Sequence, residues 1–301
     1  MSTVEIDRNK VGGQGNNPDL PVNGRTRPAI TAAGLLQLAA RIGGQVVVGL
    51  IVFLIAFPSL FVIYLSFSEK SFFTFPITAF SLKWYQNALS GQFLESIFAS
   101  SILALTSAIM ACVIGTMCAY ALNRYRFWGS GLLTNFFLAP LALPQIVLAI
   151  GYLILITRLR SFTGVNLTGT LPGLLIAHVL VTTPWVIRTV SAVLLQTDRA
   201  IEDAAQSLGA SPRRTFFAVT LPAISPGIVG GFVFAFIISF GNFELSLMVS
   251  QPSFEPLPIR IYHYLTEKSD PGVAAVSALV VVFVAMATWI IDRLIGLQKI
   301  L

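Results

Sequence analysis

The sequence contains six long stretches without a single Asp, Glu, Lys or Arg, at residues 42–68, 96–123, 127–157, 161–187, 215–243 and 271–291. The shortest of them has 21 residues, and a helix needs about 20 residues to cross the hydrocarbon core of a bilayer. Helices and closed barrels alone satisfy the backbone in lipid, and none of these stretches alternates polar and apolar residues as barrel strands do. The chain is therefore predicted to be an all-α integral membrane protein with six transmembrane helices.

The amino-acid composition excludes a soluble protein. Charged residues make up 11% of the chain and hydrophobic residues 55%, whereas an ordinary soluble domain has about 25% charged residues. A soluble protein this apolar would have too few polar groups to cover its surface. Cys112 and Cys118 lie in one apolar stretch, at a spacing that points them to different sides of a helix, so a disulfide between them is not expected.

The chain is predicted to have two parts, a cytoplasmic tail over 1–40 and a transmembrane domain over 42–296. The tail is rich in Gly, Asn and Pro and is expected to be mostly disordered, with a short interfacial helix over 31–41. The six spans are expected at about 43–67, 96–123, 132–157, 167–187, 223–243 and 271–291. Kinks or broken turns are predicted in the third and fourth apolar stretches because these contain Pro140, Pro144, Pro172 and Pro184.

Lys and Arg residues are distributed unevenly between alternate loops. Thirteen of the 19 lie within 8–41, 124–126, 188–214 and 293–299, and the other six lie at positions 70, 83, 158, 160, 260 and 268. Cytoplasmic loops of membrane proteins carry the excess of Lys and Arg. Both termini are therefore predicted to be cytoplasmic, although Arg158 and Arg160 lie on the predicted outer side, against this rule.

Two of the apolar stretches carry small residues at helical spacing. One row consists of Ser100, Ala104, Ala108, Ala111, Gly115 and Ala119, and the other of Gly227, Gly231 and Ala235. Rows of this kind let two helix backbones approach closely in a membrane. The pattern fits either packing inside this chain or an interface with a partner subunit.

The longest loop on the predicted cytoplasmic side, 188–222, contains two short helical segments that meet at a glycine. Asp198 is a predicted N-cap, and Gly209 supplies the left-handed conformation that ends the first segment. Ser211 and Pro212 then begin the second segment as N-cap and first helical residue. A connection between spans needs only a few residues. This elbow is therefore predicted to contact a partner through an apolar stripe of Ile201, Ala204, Ala205 and Leu208.

The elbow also carries a recognisable motif, Asp203-Ala204-Ala205, then Gly209, then Val219-x-Leu221-Pro222. It resembles the "EAA" signature of the inner-membrane permease subunits of ABC importers, which reads Glu-Ala-Ala, three residues, Gly, nine residues, Ile-x-Leu-Pro. Two positions differ from that pattern, since Asp203 stands for Glu and Val219 for Ile. The resemblance covers roughly residues 43–297. The resemblance is greatest to the spermidine/putrescine-type permeases. Two stretches look like that subgroup, namely residues 252–262 and Ala177-His178 followed by Pro184.

The resemblance implies a fold like that of type I ABC importer permeases, in the bacterial cytoplasmic membrane. It implies that the chain works with two cytoplasmic ATPase subunits, a second permease subunit of related but different sequence, and an extracytoplasmic solute-binding protein, in contact with membrane lipid and without nucleic acid. The elbow would act as a coupling helix for the ATPase. The residues expected to dock there are Glu202, Asp203, Ala204, Ala205, Gly209, Leu221 and Pro222.

The resemblance also indicates where a substrate path would run. Polyamine permeases tend to have an acid after the proline where this chain has Pro144-Gln145, and paired acids where it has Gly241-Asn242. Both places are neutral here, so a dication would lose favourable charge partners. The expected path residues are therefore Gln145, Asn242 and Glu244, and the expected solute is small and organic: polyamine-like, amino-acid-like or related.

Two ionisable residues near or within the spans have more than one interpretation. Glu244, at the outer end of the fifth span, fits either a position lining the path or a side chain that reaches interfacial water. His178, in the fourth span, fits either a substrate contact or a hydrogen-bonded packing residue.

Other functional classes find less support in the sequence. The chain has no Gly-x4-Gly-Lys-Ser/Thr phosphate loop, so ATP hydrolysis is expected on a separate subunit, and neither catalytic residues, a metal nor a cofactor is expected in this chain. The alternatives are a secondary transporter driven by an ion gradient, which would place several ionisable groups at the midplane, and a membrane-embedded lipid enzyme, which would need clusters of His, Asp or Glu within the spans.

Overall fold

The computed structural model describes residues 32–89, 91–250, 254–268 and 270–295 of the 301-residue chain. Two compact units are present, Met1–Ile55 and Ala56–Leu301. Most of the predicted tail, 1–31, lies outside the described residues. The first described helix, α1 (Ala32–Leu65), starts in the first unit, where residues 41–55 are exposed.

The described part of the second unit is helical, which confirms the predicted all-α class. Besides the end of α1, it contains α2 (Lys83–Ala88), α3 (Gln92–Arg124), α4 (Ser130–Leu138), α5 (Gln145–Thr163), α6 (Leu171–Gln196), α7 (Arg199–Ser207), α8 (Pro212–Thr215), α9 (Leu221–Phe240), α10 (Phe243–Val249), α11 (Leu257–Glu267) and α12 (Gly272–Ile295). A short 3-10 turn lies at Ala139–Leu141 and a π-helical turn at Phe216–Thr220. Extended pairing among the described residues is limited to one bridge, between Ser68 and Phe80.

Five helical segments within the described residues are long and apolar enough to cross a membrane. They are Arg41–Leu65, Gln92–Arg124, Gln145–Thr163, Leu171–Gln196 and Pro212–Phe240. The sixth predicted stretch corresponds to α12, which has 24 residues. Its segment Gly272–Met286 is apolar but shorter than the five segments above. The chain is a multi-pass membrane protein.

The third predicted span is not one continuous helix. The expected segment 132–157 divides into α4 and, after the 3-10 turn, α5, which begins immediately after Pro144. Proline lacks an N–H donor and disfavours helical geometry at the residue before it. Pro140 and Pro144 together therefore interrupt the helix, so that α5 supplies the apolar length of this span.

Three further boundaries differ from the expected ones. The fourth span begins at Leu171 and continues to Gln196, beyond Pro184, because Val190 and Leu194 are fully buried and extend the packed face of α6. The π-helical turn and α9 follow directly on α8, so the fifth apolar helix begins within the loop predicted at 188–222. The residues expected as a separate interfacial helix are instead the first turns of α1.

The core of the second unit is built from α3, α6 and α9, and both rows of small residues lie inside it. A Cβ added to Gly115 would lie 2.7 Å from Cβ of Val186, and one added to Gly227 would lie 3.0 Å from the Thr189 carbonyl oxygen. Only glycine permits this approach of α3 and α9 to α6. The two rows therefore serve packing within this chain, and the alternative of a partner interface does not fit.

The core arrangement separates two ends of the bundle. The last residue of α3, Arg124, lies against α7 and the end of α6, so these elements share one end. At the other end, the backbone N–H of Leu257 donates to Oγ of Ser100 near the start of α3, at 2.7 Å. The N–H of Gly169, in the α5–α6 connection, donates to the Val249 carbonyl at 3.1 Å. The loops predicted to be cytoplasmic and outer therefore lie at opposite ends.

Candidate functional site

The elbow consists of α7, α8 and the π-helical turn that leads into α9. The residues predicted from the sequence to cap its two helices do so in the structure. The side chain of Asp198 accepts a hydrogen bond from the N–H of Ala200 at 2.9 Å, which caps α7. The Ser211 hydroxyl accepts one from the N–H of Arg214 at 3.3 Å, which caps α8, where Pro212 occupies the first turn. Both caps satisfy backbone donors that have no partner within their helix.

The turn between α7 and α8 depends on Gly209. Its φ is +89°, in the left-handed region. The N–H of Gly209 donates to the Gln206 carbonyl at 2.9 Å, and the N–H of Ala210 donates to the Ala205 carbonyl at 3.1 Å. This pair of bonds is the Schellman arrangement, which ends a helix and fixes the direction of the following chain. The angle of the elbow is therefore set by its own backbone.

One face of α7 is exposed and apolar. Ile201 and Leu208 are 56% and 91% exposed, and Ala204 is also exposed. The side chain of Asp203 is 65% exposed and lies 4.0 Å from Arg199, so it is available beside the same stripe. Large exposed apolar side chains of this kind are typical of surfaces that bind a partner or a membrane.

Glu202 lies on the inner side of the same helix. Its side chain is 6% exposed and pairs with Arg124, whose Nε and Nη2 lie 3.1 and 3.0 Å from Oε1. The expectation that Glu202 docks onto the ATPase is therefore corrected by the structure. One residue along a helix turns a side chain by about 100°, which sends Glu202 into the chain and leaves Asp203 outside.

The second half of the elbow ends in the π-helical turn before Leu221 and Pro222. Pro222 has no N–H, so the Ala218 carbonyl would lack its α-helical donor, and a wider turn accommodates this loss. Leu221 is half-buried, whereas Pro222 is exposed. The ring of Phe216 packs edge-on against Tyr120 of α3, with centroids 5.0 Å apart.

The expected path residues lie close together at the other end of the bundle. Nδ2 of Asn242 donates to Oε1 of Gln145 at 2.9 Å, which joins the end of α9 to the start of α5. Oδ1 of Asn242 accepts from the N–H of Leu245 at 3.0 Å and caps α10. Glu244 lies in the first turn of α10, is half-buried, and makes no ion pair with any other residue that the structure describes. The two hydrogen-bonded amides, together with Glu244, which lies two residues after Asn242, are called the polar region.

His178 belongs to a buried cluster that links three helices of the core. Its Nδ1 lies 2.8 Å from the Ser239 hydroxyl, which accepts a hydrogen bond from Ser107 at 2.8 Å. His178 is 1% exposed, and Ser107 is fully buried. Hydrogen bonding with full burial favours the packing interpretation of His178 over a substrate contact.

A cavity of about 530 Å³ lies beside the break between α4 and α5. Its walls are almost entirely apolar and include Phe136, Pro140, Val147, Tyr152 and Leu180. Neither Gln145, Asn242 nor Glu244 lines it. The cavity nevertheless adjoins the polar region, because Leu245 lines it and donates its N–H to Asn242, and a charged solute would find its polar partners in the polar region.

Three residues of these sites are not indicated by the sequence. In the sequence, Arg124 is a basic residue at the end of a predicted span, as many membrane proteins have. Ser107 and Ser239 are isolated serines within apolar stretches. Their partners are between 61 and 132 residues away along the chain. Contacts at such separations follow from the packing of α3, α6 and α9 and have no local signature.

The described helices thus form a bundle with an exposed elbow at one end and a small polar region at the other. Residues 111–296 match the family model described as the inner membrane component of binding-protein-dependent transport systems. The chain belongs to this family.

Characterised relatives agree with this assignment. The chain is 30% identical over 225 residues to the putrescine transport system permease protein PotI of Escherichia coli strain K12, covering 74% of this chain and 80% of the relative. It is 31% identical over 221 residues to the spermidine/putrescine transport system permease protein PotC of the same strain, covering 73% and 81%. The resemblance to spermidine/putrescine-type permeases is thus confirmed.

Solved structures support the same fold. A chain in the crystal structure of a bacterial ABC transporter involved in the import of the acidic polysaccharide alginate matches with a TM-score of 0.64 at 15% identity. The match covers 90% of this chain and 99% of that one. The chain is accordingly a permease subunit of an ABC importer, which works with separate ATPase subunits, a second permease subunit and a binding protein, and it is not itself an enzyme.

Proposed function

We propose that the elbow is the surface through which this permease receives the movement of its ATPase. The observation that supports this is the exposed apolar stripe of α7, with Leu208 91% exposed, on an elbow whose angle is set by the Schellman turn at Gly209. The docking residues are Asp203, Ala204, Ala205, Gly209, Leu221 and Pro222. Glu202 is excluded from this surface because it is buried.

Replacing Asp203 with lysine is expected to reduce recovery of the ATPase with the solubilised permease, while the amount of permease in the membrane stays the same. Asp203 is exposed on α7 beside the apolar stripe, so lysine reverses the charge at the proposed contact. The measurement is the ATPase-to-permease ratio after affinity purification. Gln206→Lys is the matched control, because Gln206 is an exposed residue of the same helix. Equal loss in both variants would refute a specific role for Asp203.

We further propose that the elbow end of the bundle faces the cytoplasm, and that both termini are cytoplasmic. The uneven distribution of Lys and Arg supports this orientation, since 124–126 and 188–214 lie at the elbow end. In a background with Cys112→Ala and Cys118→Ala, a membrane-impermeant maleimide should label Val165→Cys in intact spheroplasts. It should label Gln206→Cys only after permeabilisation, and the reverse pattern would invert the orientation.

The polar region of Gln145, Asn242 and Glu244 is proposed to line the substrate path, with a small organic solute as cargo and a second permease of different sequence completing the path. The relatives are named for putrescine and spermidine, both of which carry more than one positive charge at neutral pH. Here the amides of Gln145 and Asn242 bind each other, and the carboxylate of Glu244 follows two residues after Asn242 along the chain. We therefore propose that neither of these polyamines is the best substrate, and that the cargo is polyamine-like, amino-acid-like or a related solute of lower positive charge.

Restoring an acid in this region should raise putrescine uptake. Gln145→Glu and Asn242→Asp each add a negative charge in a region of low dielectric, and a gain of about tenfold corresponds to about 1.4 kcal/mol. The measurement is uptake of radiolabelled putrescine by cells that have this importer and lack other polyamine carriers. Asn123→Asp, an amide-to-acid change at the elbow end of the bundle and therefore far from the polar region, is the control. Efficient putrescine uptake by the parent chain would contradict the proposal directly.

A further inference from the structure

The guanidinium of Arg124 connects three helices at the elbow end of the bundle. Arg124 is the last residue of α3, and its side chain is 10% exposed. Nε and Nη2 contact Oε1 of Glu202 in α7, whereas Nη1 and Nη2 each lie 3.4 Å from a carbonyl at the end of α6, those of Leu194 and Thr197. The fork of an arginine suits such simultaneous contacts, which a lysine does not reproduce.

Two more contacts join the end of α3 to the elbow. Nη1 of Arg199, in α7, donates to the Arg124 carbonyl at 3.3 Å, so each helix donates a hydrogen bond to the other. Tyr120 of α3 packs on Phe216 after α8. The elbow is covalently continuous with α6 and α9, whereas α3 is more than 70 residues distant from it in sequence. The side-chain contacts are thus what binds α3 to the elbow.

Glu202 and Arg124 each lie at a helix end whose dipole favours the sign of their charge. Glu202 lies in the first turn of α7, the positive end of that helix, and Arg124 lies at the negative ends of α3 and α6. Removing one member of the pair would leave the other charge largely buried without its ionic partner, which is strongly unfavourable. Because of this penalty, α7 and the end of α3 are held together.

We propose that Arg124 and Glu202 are positioning residues that make α3 move with the elbow when the ATPase acts on it. This inference rests on the proposed docking of the ATPase at the exposed face of α7. The adjacent residues Asp203 and Glu202 then have different roles. Asp203 faces the ATPase, and Glu202 passes the movement to α3 through Arg124. Since α3 packs along α6 and α9 and reaches the opposite end of the bundle at Ser100, it connects the elbow to that end.

The test measures the distance between α3 and α7 in the complete importer with its ATPase. Spin labels are placed at Arg126→Cys, two residues beyond the end of α3, and at Gln206→Cys in α7, both exposed positions, in a background with Cys112→Ala and Cys118→Ala. Distance distributions are recorded without nucleotide and after trapping with ADP and orthovanadate. In the parent, one narrow distribution is expected in both states, because the elbow and the end of α3 move as one body.

Glu202→Gln should leave ATPase recovery normal but broaden the distribution, and trapping should shift it. Asp203→Asn, the matched change one residue along, should keep the distribution narrow and lower ATPase recovery, by about tenfold for the loss of one charge-assisted contact. Arg124→Lys keeps the positive charge without the fork and should broaden the distribution less than Glu202→Gln does. Glu202→Asp should restore part of the narrow component, which a general loss of folding would not allow.

Two results would overturn the inference. One is a distribution in Glu202→Gln as narrow as that of the parent in both nucleotide states. The other is accumulation of Glu202→Gln and Arg124→Lys too low to purify, because the pair would then serve folding rather than movement. Failure of the docking proposal looks different: Asp203→Asn and Asp203→Lys would keep full ATPase recovery while the spin-label distances still responded to Glu202→Gln.

Discussion

Gly209→Val is expected to abolish solute uptake and ATPase recovery, while the permease remains inserted at its normal level. Gly209 has a φ of +89°, and a residue with a branched Cβ costs about 1 kcal/mol or more in that conformation. Apart from the adjacent residues of the chain, no described atom lies within 4 Å of a Cβ added at this position, so crowding by other parts of the protein plays no part. The backbone must instead leave the left-handed region, which breaks the Schellman bonds and redirects α8 relative to α7.

The measurement compares three quantities for each variant: permease in the membrane, ATPase recovered with it, and uptake. Gly209→Asn is the matched control, because asparagine adopts left-handed conformations far more readily than valine does. It should keep most of the recovered ATPase despite its larger side chain. If Gly209→Val behaves like the parent in all three quantities, the elbow is only a connection between spans.

Gly227→Ala is expected to destabilise the transmembrane core by about 1–3 kcal/mol, the usual range for overpacking. The added methyl carbon would lie 3.0 Å from the Thr189 carbonyl oxygen, 3.0 Å from Cα of Val190 and 3.0 Å from Cγ2 of Val193. Two of these atoms belong to the backbone of α6, which moves only if the helix moves. α9 must therefore shift away from α6, and contacts along the rest of the seam weaken.

Gly230→Ala is the control, since a Cβ there meets no described atom within 4 Å apart from its chain neighbours and the nearby backbone of its own helix. Both changes favour the helix by the same intrinsic amount, so their difference isolates the packing at the seam. The measurement is the temperature at which the detergent-solubilised permease loses its monodisperse peak, together with its abundance in the membrane. Equal midpoints for the two variants would show that α6 and α9 are not in close contact there.

The features that the sequence predicts well are those encoded by neighbours along the chain. The caps at Asp198 and Ser211 and the left-handed Gly209 follow from side chains and backbone conformations within one or two turns. The apolar stretches indicate helices because a bilayer leaves the backbone few alternatives. The break before α5 follows equally locally, from Pro140 and Pro144, although its extent, which divides the third span into α4 and α5, is visible only in the structure.

The docking surface shows the limit of local information. Glu202 and Asp203 are adjacent acids in the first half of α7, and sequence alone offers both as contacts for a partner. The position of α7 against α3 decides between them, because Arg124 captures Glu202 and leaves Asp203 exposed. In the same way, the rows containing Gly115 and Gly227 fit two interpretations until α6 is found against both.

The sequence by itself determined that this chain crosses the membrane several times, belongs with the permease subunits of ABC importers and carries a helical elbow. Those properties depend on hydrophobicity, charge distribution and motifs, which are read along the chain. Only the tertiary structure decided which residues of the elbow face inward, that Gln145 and Asn242 bind each other, and that His178 is held by Ser239. The physical reason is that each of these contacts joins residues more than 60 positions apart along the chain, which only the packing of the helices brings together.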